Sequence, residues 1–314
     1  MIMKILDCTL RDGGFINDFN WDIVFATKYY QLMCSFNLPF IELGYWGQTA
    51  KSNNKFYNLN ANDVDQIIGN EKKKNVVVII DYHYCNKDLN TYPSKNSSPV
   101  TMIRITSRKQ DIDDALKFAE KLYVKTNIDI SFQIINCTNY SKKDLEKAVE
   151  KILSYKFMYI YFADSHGNLN LSIDYNKYKD SIDKIKYHGI GVGFHLHNHT
   201  GRALMNYYIC KNNNIDIIDT SILGLGKGGG NLKLEDVIIN EYFISLLEFV
   251  ENEQKHLQLD KKIYLFNLIT GRLGVTDNYA KYAFIKKLPL RKFHQTCLQL
   301  REEKKDVFDK SNLD

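Results

Sequence analysis

The sequence predicts a (β/α)₈ barrel, in which eight parallel strands are ringed by helices, followed by a short helical extension. Three observations favour this fold class. Eight short apolar runs alternate with longer amphipathic stretches over about 250 residues, which is the usual size of such a barrel. Several of the runs are almost continuous in Val, Ile and Phe, as expected of parallel strands covered on both faces. The first run leads into a charged loop (LRDGG), whereas the alternative fold, an open doubly wound sheet, favours a glycine-rich turn there.

The predicted strands are short and rich in β-branched and aromatic residues, which pack well on a pleated surface. In chain order they are Met3–Leu6, Phe40–Leu43, Val76–Ile80, Met102–Ile105, Ile130–Ile135, Met158–Phe162, Gly191–His195 and Ile215–Ser221.

Helices are predicted between these strands. After the fifth strand, Ser141 can cap a helix whose apolar face includes Leu145 and Ala148. The segment 86–98, between the third and fourth strands, is rich in Asn, Ser and Pro and has the weakest helical pattern. The predicted helices span residues 22–37, 61–73, 110–125, 141–154, 174–185, 201–213 and 234–250.

The end of the sequence predicts an appended helical segment. A polar stretch follows residue 250, and after it a helical tail ends in RKFHQTCLQLREEKKDVFDK. We therefore expect a barrel domain over residues 1–250 and a C-terminal helical extension over residues 251–314.

The composition excludes several classes of protein. A content of 44% hydrophobic and 25% charged residues excludes a disordered or fibrous chain. The net charge of +5 is mild and dispersed, so no nucleic-acid partner is expected. No apolar run approaches the roughly 20 residues of a membrane helix, and no signal-peptide cleavage site follows the start, so we expect a cytoplasmic protein without a membrane partner. The six cysteines form no CxxC pair and are expected to be reduced.

Polar residues gather where the predicted strands end, which is the face that carries the active site in barrel enzymes. In chain order they are Asp7, Arg11, Asp12, Glu42, Tyr45, Asp81, His83, Asp164, Ser165, His166, His195, His197, Asn198, His199 and the loop that ends at Asn231.

The pair His195 and His197 is the sharpest local signal. Alternate residues of a strand project to the same face, so both imidazoles point into the barrel mouth. Two imidazoles and one carboxylate make a site for a divalent ion with open positions, and Asp12 is the natural carboxylate. An isolated HxH pair is about equally often packed against aromatic neighbours. Its place opposite the RDG loop favours the metal site.

Arg11 and the glycine-rich segment provide weaker signals. An arginine beside a metal ligand can hold a carboxylate or a developing enolate oxygen, although a structural ion pair with Glu42 is also expected. We interpret Gly224–Gly230 first as backbone that approaches a ligand or metal closely, and second as a phosphate cradle.

Five segments, LDCTLRDGG, FIELGYW, FADSHGNL, GFHLHNHTG and GLGKGGGN, together resemble the DRE-TIM metallolyases in order and spacing. This superfamily of HMGL-like barrels includes 4-hydroxy-2-oxovalerate aldolase, hydroxymethylglutaryl-CoA lyase and isopropylmalate synthase. The resemblance covers about residues 1–250 and is closest to the 4-hydroxy-2-oxovalerate aldolase-like branch.

The resemblance implies a metal-dependent catalytic barrel. It places the metal ligands at Asp12, His195 and His197, with Asn231 as a ligand or a neighbour of the metal. The expected cofactor is a divalent ion, Mn²⁺ first, with Mg²⁺, Co²⁺ and Zn²⁺ as alternatives.

The resemblance also assigns the organic part of the site. Arg11 matches the arginine that stabilises the enolate, and Glu42 matches the acidic residue that holds this arginine, so both are expected to be catalytic. Ser165 lies in the DSxG turn of the family. We expect Ser165 and Tyr45 to contact the substrate together with Arg11.

The sequence departs from the family at the acid/base positions. Phe15 stands where the aldolases have a histidine, and Thr276 falls near their catalytic tyrosine. Lys227 lies in the region where the acyl-CoA lyases have a cysteine. Four residues remain as candidates for the general base: His83, His166, Tyr45 and Tyr279.

The predicted function is a divalent-metal-dependent carbon–carbon lyase (aldolase) that acts on a 2-oxo acid through a metal-bound pyruvate-type enolate. Two alternatives remain open: a Claisen-type acyl-CoA enzyme that resembles isopropylmalate synthase or hydroxymethylglutaryl-CoA lyase, and a catalytically altered barrel that serves as a binding subunit. The expected small-molecule partners are the 2-oxo acid and an aldehyde. A homodimer and an association with a product-accepting enzyme are both left open.

Overall fold

Eight parallel strands close into a barrel in the order of the chain, which confirms the predicted fold class. The barrel closes where β1 pairs with β8, with Asp7 opposite Thr220. The strands are β1 (Lys4–Asp7), β2 (Phe40–Tyr45), β3 (Val76–Asp81), β4 (Val100–Ser107), β5 (Asp129–Ile134), β6 (Tyr159–Ala163), β7 (Gly191–His195) and β8 (Ile217–Thr220).

The computed structural model describes residues 3–49, 54–71, 75–238, 240–257, 263–303 and 308–313. The helices in these ranges are α1 (Thr9–Asp12), α2 (Ile23–Ser35), α3 (Ala61–Ile68), α4 (Ile112–Thr126), α5 (Lys142–Ile152), α6 (Leu171–Tyr187), α7 (Ala203–Asn212), α8 (Asn240–Asn252), α9 (Tyr264–Leu273), α10 (Asn278–Ile285) and α11 (Leu290–Glu302).

The local sequence explains where these helices begin and end. The Ser141 side chain accepts a hydrogen bond from the backbone N–H of Asp144, so it caps α5 as predicted. The helix predicted over 61–73 is shorter, because α3 ends at Ile68 and the next residue, Gly69, has a φ of 55° that breaks the helical backbone. Positions 72 and 73 of that prediction lie outside the described residues. Segment 86–98 contains only a short 3₁₀ turn, as its weak pattern indicated.

The barrel interior has an apolar floor that includes Leu6, Val77 and Met102. Two tyrosines of β6, Tyr159 and Tyr161, extend this floor towards β7. Gly193 has no side chain, and a Cβ there would overlap the ring of Tyr161. The centre of this ring lies 4.2 Å from the guanidinium of Arg104. Arg104 belongs to a layer of charged side chains above the floor. The large apolar cluster between the strands and the surrounding helices completes the core.

The C-terminal helices have a small apolar cluster of their own, which contains Phe266, Tyr279 and Phe293. The division of the chain at residue 250 stays a prediction. All six cysteines are buried and none forms a disulfide bond. Within the described residues, no helix has both the length and the apolarity that crossing a membrane requires.

Candidate metal centre

The side chains of Asp12, His195 and His197 meet at the mouth of the barrel. Asp12 ends the single-turn helix α1 shortly after β1, His195 ends β7, and His197 follows two residues later. One potential ligand atom from each residue lies within 4.8 Å of the others, and all three side chains are buried. The structure therefore brings together the three residues that the sequence predicted as a metal site.

The two imidazoles are held so that one nitrogen of each remains available. His195 Nδ1 lies 2.9 Å from a carboxylate oxygen of Asp219, and His197 Nδ1 lies 3.2 Å from the carbonyl oxygen of Gly230. If each Nδ1–H donates to that oxygen, each Nε2 carries a lone pair. The two Nε2 atoms lie 3.2 Å apart. Ligands at about 2.1 Å from one ion are about 3 Å apart, so the spacing fits a shared divalent ion.

The charge states also fit a metal site. Burial raises the pKa of Asp12, but the guanidinium of Arg11 and the hydrogen bond from Asn231 lower it, and the pKa lies well below its usual range. Burial lowers the pKa of His197 well below its usual value. An ionised carboxylate and a neutral imidazole are the forms that bind metal ions.

Asn231 lies beside this cluster. Its Nδ2 donates to Asp12 Oδ2 at 2.7 Å and to the carbonyl oxygen of Leu225 at 3.1 Å. Its Oδ1 is buried without a hydrogen-bond partner, which fits a nearby cation. The role of Asn231 as a ligand stays a prediction.

The glycine-rich loop approaches the cluster closely. A Cβ at Gly226 would lie 2.6 Å from Asp12 Oδ2 and nearer still to the Asn231 amide. The backbone N–H of Lys227 donates to Asp12 Oδ2 at 3.3 Å. The loop thus packs its backbone against residues of the site, as the sequence indicated.

Arg11 is held between two carboxylates. Its Nε donates to Glu42 Oε2 at 2.5 Å, and its Nη1 donates to Asp12 Oδ1. Its Nη2 is buried without a partner. The ion pair with Glu42 expected from the sequence is therefore present, and it leaves one N–H group of Arg11 unused.

A buried charge network continues from Arg11 to the histidines. Arg104 donates to Glu42 at 3.0 Å and to Asp219 at 2.6 Å, and Asp219 also contacts His195. Sequence reasoning missed Arg104 and Asp219, because both lie inside strands and not at their ends. A charged residue in an otherwise apolar strand was the available signal.

A cavity of about 250 Å³ opens above the cluster. Tyr45, Ser165 and His166 line it, so these predicted residues share one space with Arg11. Ser165 is fixed by the backbone N–H of Asn136, which donates to its Oγ at 3.1 Å.

The other two base candidates lie elsewhere. His83 is largely exposed, and its Nδ1 lies 3.2 Å from Asp111. The Tyr279 hydroxyl accepts a hydrogen bond from the backbone N–H of Asp309 at 3.1 Å, within the C-terminal cluster. Neither residue lines the cavity.

The C-terminal segment contributes to the cavity wall, and of its residues there the sequence analysis singled out only Thr276. Thr276, Asn278 and Phe308 line the cavity. Asp277 Oδ1 forms an ion pair with Lys227 Nζ at 2.7 Å and so joins this segment to the glycine-rich loop. For Asn278, the polar pattern TDN was the available local signal. Phe15 also lines the cavity, at the position where the aldolases have a histidine.

Comparisons with known proteins identify the family of this chain. The sequence model of the HMGL-like family matches residues 2–259. An oxaloacetate decarboxylase from Mycobacterium tuberculosis is 20% identical over 243 residues, which are 74% of this chain and 68% of that protein. A 4-hydroxy-2-oxovalerate aldolase from Spirochaeta aurantia is 29% identical over 144 residues, 45% of this chain and only 35% of the aldolase.

A solved structure gives the same fold. The N-terminal domain of a candidate aldolase from Bacteroides vulgatus superposes with a TM-score of 0.67 at 21% identity, covering 91% of this chain and 100% of that chain.

Proposed function

The chain belongs to the HMGL-like family of lyases, and on that premise we propose that it is a metal-dependent aldolase that cleaves or forms a carbon–carbon bond of a 2-oxo acid. The activity is similar to that of 4-hydroxy-2-oxovalerate aldolase, a name that several relatives carry. Oxaloacetate decarboxylation, the reaction named for another relative, also releases a pyruvate enolate. Formation of this enolate is therefore the step on which the proposal rests.

The residues at the barrel mouth fit a divalent ion. Asp12, His195 and His197 would hold it, and the unpaired Oδ1 of Asn231 is available as a further oxygen donor. One carboxylate and two imidazoles suit several first-row divalent metals, and Mn²⁺ is the one we expect first. When bound, such an ion supplies Lewis acidity towards the keto oxygen and the carboxylate of the substrate.

The observation that carries the proposal is the unused N–H group of Arg11. Glu42 and Asp12 fix two nitrogens of the guanidinium, while Nη2 has no partner in a buried site that borders the cavity. A donor fixed in this way can stabilise negative charge that develops on an enolate oxygen, without reorganising during the reaction. Because this interaction strengthens as the charge develops, it lowers the barrier and not only the dissociation constant of the substrate.

His166 lines the cavity and is the proposed acceptor of a hydrogen bond from the substrate hydroxyl group. Burial, with smaller effects of Lys227 and His199, lowers the pKa of His166 to about 3, so the side chain is neutral at pH 7. Its Nδ1 is buried without a partner. Burial also raises the pKa of Tyr45 well above its usual range, so Tyr45 keeps its proton and serves as a hydrogen-bond donor to the substrate.

Deuterium exchange at C3 of pyruvate tests this function without knowledge of the aldehyde. We expect the protein with Mn²⁺ to exchange the methyl protons of pyruvate in D₂O, and NMR would follow the loss of the methyl signal. The same preparation treated with EDTA is the control, and re-addition of Mn²⁺ should restore exchange. A metal-loaded, folded protein that exchanges no faster than buffer would overturn the proposal. Activity with acetyl-CoA and an oxo acid in its place would select the acyl-CoA alternative.

A further inference from the structure

The cavity has a second polar wall that the proposed function does not use. Strands β3, β4 and β5 lie across the barrel from β7, β8 and β1, which carry the metal cluster. Their C-terminal ends contribute Asp81, Arg108, Gln133 and Asn136 to the lining of the cavity. The end of a bound ligand that points away from the metal cluster therefore faces a polar surface.

Two cations that line the cavity, Arg108 and Lys227, are already paired with carboxylates. Arg108 donates to both carboxylate oxygens of Asp81, at 2.9 and 3.2 Å. Lys227, on the other side of the cavity, is paired with Asp277 at 2.7 Å. Since neither cation is left without a counter-charge, the wall favours a neutral polar ligand over an anionic one.

Gln133 shows which kind of polar group is missing. The neighbouring side chains of Phe132 and Ile134 belong to the large apolar cluster between the strands and the surrounding helices. Because side chains alternate along a strand, Gln133 points towards the barrel interior. Gln133 is only 2% exposed, and its Oε1 is buried without a hydrogen-bond partner. A buried amide oxygen without a donor is unfavourable, and a ligand hydroxyl group would supply that donor.

We propose that the second substrate is a neutral hydroxylated aldehyde, and that Gln133, beside the Arg108–Asp81 pair, determines this specificity. This inference rests on the proposed aldolase function. In the addition direction, C3 of the pyruvate enolate forms a bond to the aldehyde carbon and the carbonyl π electrons move to its oxygen. That oxygen then takes one proton to give a 4-hydroxy-2-oxo acid. Gln133 acts on the remaining hydroxyl groups and takes no part in this step.

The test compares glyceraldehyde with propanal, which has the same carbon skeleton without the hydroxyl groups. We expect kcat/KM for the addition of pyruvate to be at least about 100-fold higher with glyceraldehyde, because a site built to bind a hydroxyl group rejects the analogue that lacks it. In the Gln133→Leu variant this ratio should fall below about tenfold. Gln299→Leu, the same substitution on an exposed face of α11, should keep the wild-type ratio.

Each outcome decides something. A wild-type protein that exchanges pyruvate protons but uses both aldehydes equally overturns the specificity and leaves the aldolase function in place. If the ratio is unchanged in Gln133→Leu, Gln133 does not determine the specificity. If glyceraldehyde 3-phosphate turns over faster than glyceraldehyde, the wall does not favour a neutral ligand over an anionic one. No exchange and no addition overturns both proposals. If thermal unfolding shows that Gln133→Leu is not folded, Gln133→Met replaces it in the same test.

Discussion

At the scale of single residues, the site depends on side chains that are buried in one defined charge state. The sequence was sufficient to predict Asp12, His195 and His197, because alternation along a strand and the position of strand ends determine where these side chains meet. It was not sufficient to choose among four base candidates. That choice depends on which side chains reach the cavity, and the structure places His166 and Tyr45 there but not His83 or Tyr279.

The pH dependence of the unfolding free energy should show that His166 is buried in its neutral state. Its pKa is about 3 in the folded protein and about 6.5 in the unfolded chain, so the unfolded state binds the extra proton between these values. Stability is therefore lost as the pH falls from about 6.5 towards 3, by up to about 1.4 kcal/mol per pH unit. The His166→Asn variant should lose less stability than the wild type over this pH range.

Urea unfolding of both proteins in EDTA at pH 7 and pH 4.5 measures this difference. All other titrating groups are common to the two proteins, so they cancel in the comparison. A difference in unfolding free energy that stays constant between the two pH values would show that His166 is not held neutral.

At the scale of secondary-structure elements, the charge layer joins strands that are distant in the sequence. Arg104 of β4 reaches Glu42 of β2 and Asp219 of β8, and all three side chains are fully buried. The apolar runs predicted all eight strands, because parallel strands need apolar residues on both faces. They could not predict this layer, because the pairing of buried charges depends on the register of non-neighbouring strands.

Removing Arg104 should destabilise the barrel strongly. The Arg104→Met variant leaves Glu42 and Asp219 buried without their shared cation, a change that typically costs about 3–5 kcal/mol. Chemical denaturation would measure it, with Arg301→Met on α11 as a control because Arg301 is exposed. An Arg104→Met barrel that unfolds at the wild-type urea concentration would refute the structural importance of this layer.

At the scale of the whole molecule, the site is assembled from both ends of the chain. The first loop supplies Arg11 and Asp12, while Thr276, Asn278 and Phe308 close the cavity from the C-terminal side. The barrel was predictable from the alternation of strands and helices. Apart from Thr276, the contribution of the C-terminal segment was not predictable, because its contact with the glycine-rich loop includes the Lys227–Asp277 pair between segments far apart in the sequence.

A bound ion should stabilise the whole fold, because its ligands come from opposite ends of the barrel sequence. At a Mn²⁺ concentration about 100 times the dissociation constant, linkage adds about 2.7 kcal/mol to the unfolding free energy. For a domain of this size we expect the melting temperature to rise by roughly 4–5 °C. The double variant His195→Ala/His197→Ala should show no such rise and should contain no metal after dialysis. Equal metal content in the variant and the wild type would make the ligand assignment wrong.

The central claim is that Arg11 stabilises an enolate beside the metal cluster, and the exchange rate of pyruvate C3 protons in Arg11 variants tests it most directly. Rates are compared per folded molecule at equal metal content, with thermal unfolding measured on the same preparations. We predict that Arg11→Ala lowers the rate by about 10²–10³-fold, since one fixed donor to the developing charge is lost. Arg11→Lys should recover only part of the loss, because lysine keeps the charge but not the planar group. If Arg11→Ala lowers only the melting temperature and exchanges pyruvate protons at the wild-type rate, Arg11 is a structural partner of Glu42 and the claim is contradicted.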